Sequence, residues 1–389
     1  MLRLARKYKS LADLFQQQAS AFTSFEEIEK VTHTTVMKKE VTSCFEGFDN
    51  ELILDMTFGM GGHSKSLLEK YPNCKILAVD QDSNSTKVAN QLQKEYPTRF
   101  AFRKSNYQNI TETHEKSKFS HIRPSGVIFD LGFCSSQIDD PLRGFSLMKN
   151  GPLDMRYCNL TQKLTAAQLI NFASVDDLEV IFRVYGDERH SRKIASAIET
   201  CRMIQPIIST YELSGVIART LGATRPAEED AARQLVRSKE HLHVATKVFQ
   251  AVRIFVNDEL NALYRTLKQL ENLLEKDARV AILVFHAIED AVVKFALGNF
   301  DLGHPAHQEE FAEALRHLRT MKNSFKIWRS TNEAGFLSKL HEVEEPVWKF
   351  QKMKNANGEN RTFLLPTQQE VMNNARSRSA KLRLVTKIS

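Results

Sequence analysis

The sequence predicts an α/β fold, a doubly wound parallel sheet interrupted by an inserted all-helical domain. Short, continuously apolar runs, of the kind that form strands buried on both faces, alternate with segments of helical spacing. Between the third and the fourth apolar run the spacing becomes helical, and strand signals are few. At 389 residues the chain can bury a sizeable core in one large or two moderate domains.

Four strands are predicted, each from a short apolar run, at residues 51–57, 75–80, 126–132 and 278–285. The first strand leads through a glycine-rich loop into a helix at 63–70, and a polar helix follows the second strand. The second strand ends in Asp80 and the third contains Asp130. Ligands of open parallel sheets bind at the carboxyl ends of the strands, so these acids are candidate site residues.

Several segments with helical spacing lie between the third and fourth strands, and they predict the inserted domain. One longer helix, over residues 243–276, then leads back to the fourth strand. The predicted division of the chain is a leader at 1–30, a sheet domain in two parts at 31–140 and 245–389, and the helical insertion at 141–244.

The beginning of the chain is basic, poor in acids and amphipathic. Asp13 is the only acid before Glu26, whereas Arg3, Arg6, Lys7 and Lys9 are basic. This composition is typical of a mitochondrial presequence, which we predict over residues 1–30. An ordinary basic helix is the alternative.

The end of the chain is also basic. Five basic residues occur there without an acid, namely Arg376, Arg378, Lys381, Arg383 and Lys387. A strap that binds nucleic-acid phosphates is the first prediction for this C-terminal tail, and packing within the fold or a disordered end are the alternatives. The net charge of +7 and the pI near 9.0 favour a polyanionic partner.

Other classes of protein are disfavoured by the composition. No apolar run approaches the roughly 20 residues of a membrane-spanning helix, so no membrane role is predicted. The five cysteines are scattered without a C-x-x-C pair, which favours a reducing compartment over a zinc site or a disulfide framework. His241 and His243 have no third ligand spaced nearby, and no metal is predicted.

The glycine loop "LDMTFGMGGHS", residues 54–64, predicts a site for a nucleotide-like ligand. A dinucleotide site needs G-x-G-x-x-G, but Ser64 occupies the place of the third glycine. Asp55, at the end of the first strand, suits a positively charged group better than a pyrophosphate. Asp80 lies 21 residues after Gly59, where a carboxylate can accept hydrogen bonds from ribose hydroxyls. Together with Asp130, these acids favour S-adenosylmethionine over a dinucleotide.

Five longer motifs occur in a fixed order, "DMTFGMGGHS", "DLGFCSSQIDDPLRGFSLMKNGPLDMR", "YGDERHSRKIASAI", "HVATKVFQAVRIFVNDEL" and "ARSRSAKLR". From about His33 to Arg383 the chain resembles a mitochondrial member of the RsmH (MraW) family of small-subunit ribosomal RNA cytosine-N4 methyltransferases. The resemblance implies methylation of the exocyclic amine of one cytidine. It also implies a Rossmann-like S-adenosylmethionine-dependent methyltransferase sheet with an inserted helical substrate-recognition domain, ribosomal RNA or the assembling small subunit as partner, and the mitochondrial matrix as location.

The resemblance also implies the cofactor contacts, which fall on Gly61, Gly62, His63, Asp80, Tyr107, Asp130 and Gln137. The residues alone already indicate the loop, Asp80 and Asp130, whereas Tyr107 and Gln137 come from the resemblance. The chain departs from the family where Ser136 replaces the proline of S-S-P-Q, and where Ala287 and Ala291 replace the ends of S-L-E-D-R. A non-catalytic, RNA-binding assembly factor that keeps the fold is therefore the alternative function.

No catalytic base is predicted, because the D-P-P-Y type loop of other amino-methyltransferases is absent. The amine proton could be accepted by backbone carbonyls or by one of four acids near the third strand, Asp130, Asp139, Asp140 and Asp154. Arg143 and Arg156 are predicted either to contact RNA or to pair internally with Asp140 or Asp154.

Overall fold

The computed structural model describes residues 35–159, 161–162, 164–222, 244–298, 347–355 and 357–389. The chain divides into two compact units. Of the described residues, the sheet unit contains those within 35–134, 259–298 and 347–389, and the helical unit contains those within 135–222 and 244–258. The predicted leader and the pair His241 and His243 lie outside the described residues, and the predicted domain limits stay predictions.

The sheet unit is built on a seven-stranded sheet, which confirms the predicted α/β class. Its strands are β1 (Leu52–Asp55), β2 (Lys75–Asp80), β3 (Phe100–Lys104), β4 (Gly126–Asp130), β5 (Arg279–Val284), β6 (Trp348–Phe350) and β9 (Lys381–Lys387), and β7 (Met353–Lys354) and β8 (Asn360–Arg361) form a separate ribbon. The order is β3-β2-β1-β4-β5-β9-β6. Strands β1 to β5 are parallel, whereas β9 runs antiparallel to both β5 and β6.

Seven helices of the sheet unit are described, Lys38–Ser43, Gly62–Lys70, Ser83–Glu95, Ile110–Glu115, Glu259–Leu273, Ala287–Leu297 and Gln368–Asn373. Residues from the helices and the strands share one apolar cluster, which includes Phe45, Phe58, Leu67, Phe100 and Leu382. Strand β1 is buried along its whole length, as the sequence pattern requires of a central parallel strand.

The helical unit contains the described helices Ser135–Asp139, Ala166–Phe172, Val175–Gly186, Ser191–Ile204, Thr210–Thr220 and Thr246–Asn257. Three of them begin with a capping box, in which the N-cap side chain and the side chain three residues on each accept a backbone N–H of the other residue. The N-cap residues are Thr165, Ser174 and Ser209. These local signals explain why the segment is helical. Within the described residues, no helix is long and apolar enough to cross a membrane.

The prediction of a single helix over residues 243–276 is wrong, because the helix is interrupted at Asp258. One helix ends at Asn257, and the next begins at Glu259. Asp258 has a φ of 52°, a left-handed conformation that ends an α-helix and that aspartate tolerates better than most residues. The Asn257 side chain holds the end of the first helix, since its amide donates to the carbonyls of Arg253 and Met155, each at 2.8 Å.

The structure confirms packing within the fold, one of the alternatives for the basic tail, over Lys381–Lys387, because these residues are strand β9 inside the sheet and not a free phosphate-binding strap. The carboxylate of Asp290 accepts hydrogen bonds from Arg383 and, at 2.7 Å, from Lys381. The ammonium group of Lys387 donates to two carbonyls, those of Glu271 and Leu274. Three of the five basic side chains are therefore used within the fold, and only Arg376 and Arg378 are exposed.

Candidate active site

The glycine loop after β1 makes a tight turn in which two glycines adopt the left-handed conformation. Gly59 and Gly61 have φ values of 52° and 75°, in the left-handed region that side chains disfavour. The Gly61 N–H donates to the Phe58 carbonyl at 2.7 Å, and a Cβ on Gly61 would lie 2.7 Å from the Phe58 ring. The turn therefore directs the chain into helix Gly62–Lys70 with its first backbone N–H groups at the carboxyl edge of the sheet.

Asp80, at the end of β2, is tied to this loop. One of its oxygens accepts the Gly59 N–H at 2.7 Å, and the other accepts the Asp82 N–H at 2.8 Å. Burial raises the pKa of Asp80 to about 6, although both backbone hydrogen bonds lower it. The carboxylate still has lone pairs for further donors such as ribose hydroxyls.

We expect the affinity for S-adenosylhomocysteine to depend on pH through Asp80. The ionised carboxylate is the better acceptor, so affinity should be full above the pKa of about 6 and fall as the pH drops through it. Calorimetry should show a dissociation constant about tenfold weaker at about pH 5 than at neutral pH. In the Asp80→Asn variant this dependence should flatten, and an equally steep profile there would assign the titration to another group.

Asp55 does not face a ligand as predicted. Its side chain is buried, one oxygen accepts the Ser64 hydroxyl at 2.6 Å, and the other accepts the Thr57 N–H at 3.2 Å. Burial raises the pKa of Asp55, while the hydrogen bond from Ser64 and the nearby His63 lower it. Asp55 therefore fixes the start of the helix to the end of β1, which positions the loop.

His63 and Asp130 meet beside the loop. The His63 ring is buried, and its Nε2 lies 3.5 Å from an oxygen of Asp130, a distance too long for a strong hydrogen bond. Within the described residues, neither ring nitrogen of His63 has a hydrogen-bond partner. Buried polar atoms without a partner are rare, so this pair indicates where a polar ligand belongs.

Thr57 joins the two central strands at this edge, which the sequence patterns did not reveal. The Asp130 N–H donates to the Thr57 hydroxyl at 2.6 Å. The one feature of the sequence that could have indicated Thr57 is that a small polar residue lies two positions after the end of β1. The bond fixes the backbone that carries Asp130 relative to the loop.

Tyr107 follows β3 and lies next to the residue that precedes Asp130. Its ring contacts the Phe129 ring edge to face, with centroids 5.9 Å apart, and its hydroxyl lies 3.5 Å from the Glu259 carbonyl oxygen. The ring is half-buried, and its part in the site stays a prediction. Gln137 lies in the helical unit, buried on helix Ser135–Asp139, and its part in the site stays a prediction.

Six predicted residues of the sheet unit therefore lie on the loop or at the carboxyl ends of neighbouring strands, namely Gly61, Gly62, His63, Asp80, Tyr107 and Asp130. The strand order reverses between β1 and β4, because β2 and β3 lie on one side and β5 on the other. Ligands of doubly wound sheets bind at this reversal.

The helical unit shows the predicted internal pairing for one of its two arginines, whereas the contact of either arginine with RNA stays a prediction. Arg156 forms a bidentate pair with Asp154, with both distances 2.7 Å, so the internal pairing is correct. Arg143 donates to the carbonyls of Arg156 and Tyr157 at 3.2 and 3.0 Å. Asp140 accepts the Leu142 N–H at 2.9 Å and caps a short 3₁₀ turn. Among the described residues, no cluster of three potential metal ligands is present.

A glycine loop at the reversal of a parallel sheet, with acids at the ends of β2 and β4, defines an enzyme site for a nucleotide-like cofactor. The MraW methylase family model matches residues 30–318. Human 12S rRNA N(4)-cytidine methyltransferase METTL15 is 36% identical over 98% of this chain and 90% of its own length. Ribosomal RNA small subunit methyltransferase H of Orientia tsutsugamushi (strain Boryong) is 34% identical over 92% of this chain and 98% of its own. The chain belongs to the MraW methylase family.

Proposed function

We propose that this protein transfers a methyl group from S-adenosylmethionine to the exocyclic amine of a cytidine in small-subunit ribosomal RNA. The observation that carries the proposal is the glycine loop tied to Asp80 and lying beside Asp130, in a chain 36% identical to enzymes named for N4-cytidine methylation. The family resemblance in the sequence and the geometry of the sheet edge lead to the same cofactor.

The residues of the sheet unit fit this cofactor. The backbone N–H groups at the start of helix Gly62–Lys70 suit its carboxylate. Asp80 would accept the ribose hydroxyls, and Tyr107 would pack beside the adenine. Asp130 and the unpaired nitrogens of His63 supply the remaining polar groups. Gln137 is the seventh proposed contact. Asp55 stabilises the loop by accepting the hydrogen bond from the Ser64 hydroxyl.

When bound, S-adenosylmethionine supplies a methyl group on a positively charged sulfur. The transfer is an in-line displacement, so the protein's main task is to hold the acceptor amine on that line. The amine gives up one proton as the nitrogen–methyl bond forms and the sulfur–methyl bond breaks, and Asp130 or water would accept that proton. The loop, Asp80 and Asp130 would hold the cofactor, which carries the methyl group. The cytidine must leave its stack to reach the site, and this favours an unpaired region of the RNA as substrate.

The direct test is methyl transfer by the purified chain to mitochondrial small-subunit RNA, read by mass spectrometry of both the nucleosides and the oligonucleotides released by ribonuclease digestion. The proposal expects N4-methylcytidine at one position, and Asp80→Ala should abolish or strongly reduce it. Binding of both S-adenosylhomocysteine and RNA without any methylated cytidine would instead establish the alternative, an assembly factor that keeps the fold. Methylation of another base or atom would also refute the proposal.

We place the activity in the mitochondrial matrix, on ribosomal RNA of the assembling small subunit. The relatives named for 12S rRNA and the basic beginning of the chain support this location. A fluorescent fusion of residues 1–30 should enter mitochondria, because positive charge on an amphipathic segment is the import signal. Changing Arg3, Arg6 and Lys7 to Glu should abolish import. Cytosolic fluorescence of the unchanged fusion would contradict the proposal that residues 1–30 direct mitochondrial import.

A further inference from the structure

The segment that begins at Thr35 packs directly on the glycine loop. A Cβ built on Gly62 would lie 1.8 Å from the Thr35 hydroxyl oxygen and 3.0 Å from the Thr35 Cβ. The three nearest heavy atoms to that Cβ all belong to Thr35. Position 62 is not in the left-handed region, so its backbone does not require glycine. The contact with Thr35 therefore accounts for the missing side chain.

Met37 fixes the backbone of this segment. Its φ is 46°, a left-handed conformation that is uncommon for residues other than glycine. Its side chain is buried in the core of the sheet unit, and its N–H donates to the carboxylate of Glu370 on helix Gln368–Asn373. The strained conformation persists because surrounding contacts hold it, and the bond to Glu370 is one of them.

The following helix, Lys38–Ser43, is joined to the helix after the loop. The Thr42 hydroxyl lies 2.9 Å from the Ser66 hydroxyl, and the Tyr71 hydroxyl donates to the Thr42 carbonyl at 3.1 Å. Residues 35–43 therefore contact helix Gly62–Lys70 at its first residue and along its body. We call residues 35–43 the clamp.

We propose that the clamp sets the position of the cofactor-binding N–H groups at Gly62 and His63. Thr35 acts through Gly62, and Glu370 acts through Met37, so both are positioning residues that need not touch the cofactor. Backbone donors bind an anionic group well only when they are held in place before binding. This inference rests on the proposed cofactor.

The first test is whether removing the Thr35 side chain restores the cofactor affinity that an added methyl group at Gly62 lowers. Full-length Gly62→Ala, Thr35→Gly and the double variant would be titrated with S-adenosylhomocysteine by calorimetry, and thermal unfolding would verify that each is folded. We expect Gly62→Ala to bind at least about tenfold more weakly and the double variant to bind within about threefold of Thr35→Gly, because contacting residues are not additive. A double variant as weak as Gly62→Ala would show that the ligand, not Thr35, requires the glycine.

The second test uses Glu370, which is remote from the loop in sequence. Glu370→Leu should weaken S-adenosylhomocysteine binding about tenfold and speed amide exchange at residues 59–63, since a hydrogen bond to a charged group is lost. Glu370→Gln keeps an oxygen for the Met37 N–H and should stay within about threefold of the wild type.

Two outcomes distinguish an error in the clamp proposal from an error in the proposed cofactor. A Glu370→Leu variant with a lower melting temperature but unchanged affinity and loop exchange would reduce Glu370 to a structural role and overturn the clamp. If wild-type protein did not bind S-adenosylhomocysteine, the proposed function would fail, and amide exchange at residues 59–63 would still decide whether the clamp holds the loop.

Discussion

Replacing Asp290 by Ala is expected to destabilise the protein by about 3–5 kcal/mol, because it leaves buried positive charge without its partner. Arg383 is 4% exposed and Lys381 is half-buried, and both donate to this one carboxylate. Burial alone would raise the pKa of Asp290, but the hydrogen bonds from Arg383 and Lys381 outweigh it and lower the pKa. The stabilisation is therefore present at neutral pH and lost as the pH falls below the ordinary carboxylate range near about 4. Urea unfolding of the two proteins measures the difference.

Two further variants make this result specific. Glu112→Ala breaks the pair that Glu112 forms with Lys116, which is 71% exposed, and should change stability little because solvent screens that pair. The double change Asp290→Leu with Arg383→Met removes both buried charges and should recover much of the loss. If Asp290→Ala unfolded at the wild-type urea concentration, the pair with β9 would contribute nothing to stability.

Replacing Asp80 by Ala is expected to weaken cofactor binding by roughly 1.5–3 kcal/mol, about 10- to 150-fold in the dissociation constant. The variant loses the acceptor for the ribose hydroxyls, and it also releases the Gly59 N–H that Asp80 holds at 2.7 Å. Calorimetry with S-adenosylhomocysteine measures the loss directly.

The matched control is Glu69→Ala, on the helix that follows the loop. Glu69 is 50% exposed, and its loss removes one negative charge without touching the turn, so affinity should stay unchanged. Asp80→Asn should bind between wild type and Asp80→Ala, because its amide oxygen can replace only one of the two acceptors. Wild-type affinity in Asp80→Ala would show that the ribose is held elsewhere.

The fold class and the strands that carry the site could be predicted because their signals are local. Residues 76–79 of KILAVD are continuously apolar up to Asp80, and the loop after β1 shows its glycines directly in the sequence. Strand β3, FAFRK, was missed because two of its five residues are exposed and charged. Strand β9, KLRLVTK, was mistaken for a tail because the sequence does not show that Lys381 and Arg383 pair with the distant carboxylate of Asp290.

The parts of the site that could not be predicted depend on contacts between distant segments. Asp55 has a location that suits a ligand, and only the structure shows that Ser64 and Thr57 already occupy its oxygens. The bond from Met37 to Glu370 joins residues 333 positions apart, which no local pattern reports. The break at Asp258 likewise depends on one backbone angle within an otherwise continuous helical pattern.

Strand β9 also has a consequence for how the protein reaches its native state. Strand β5 pairs with β9 in full register, yet roughly a hundred residues separate the two strands in the chain. Such non-local pairing raises contact order, so the entropy of closing this long segment is lost before any contact compensates for it. Until β9 arrives, the apolar β5 presents an open edge, and intermediates of this kind aggregate. Docking of β9 is therefore expected to be the slow step of folding, and chaperones that shield that edge should raise the yield.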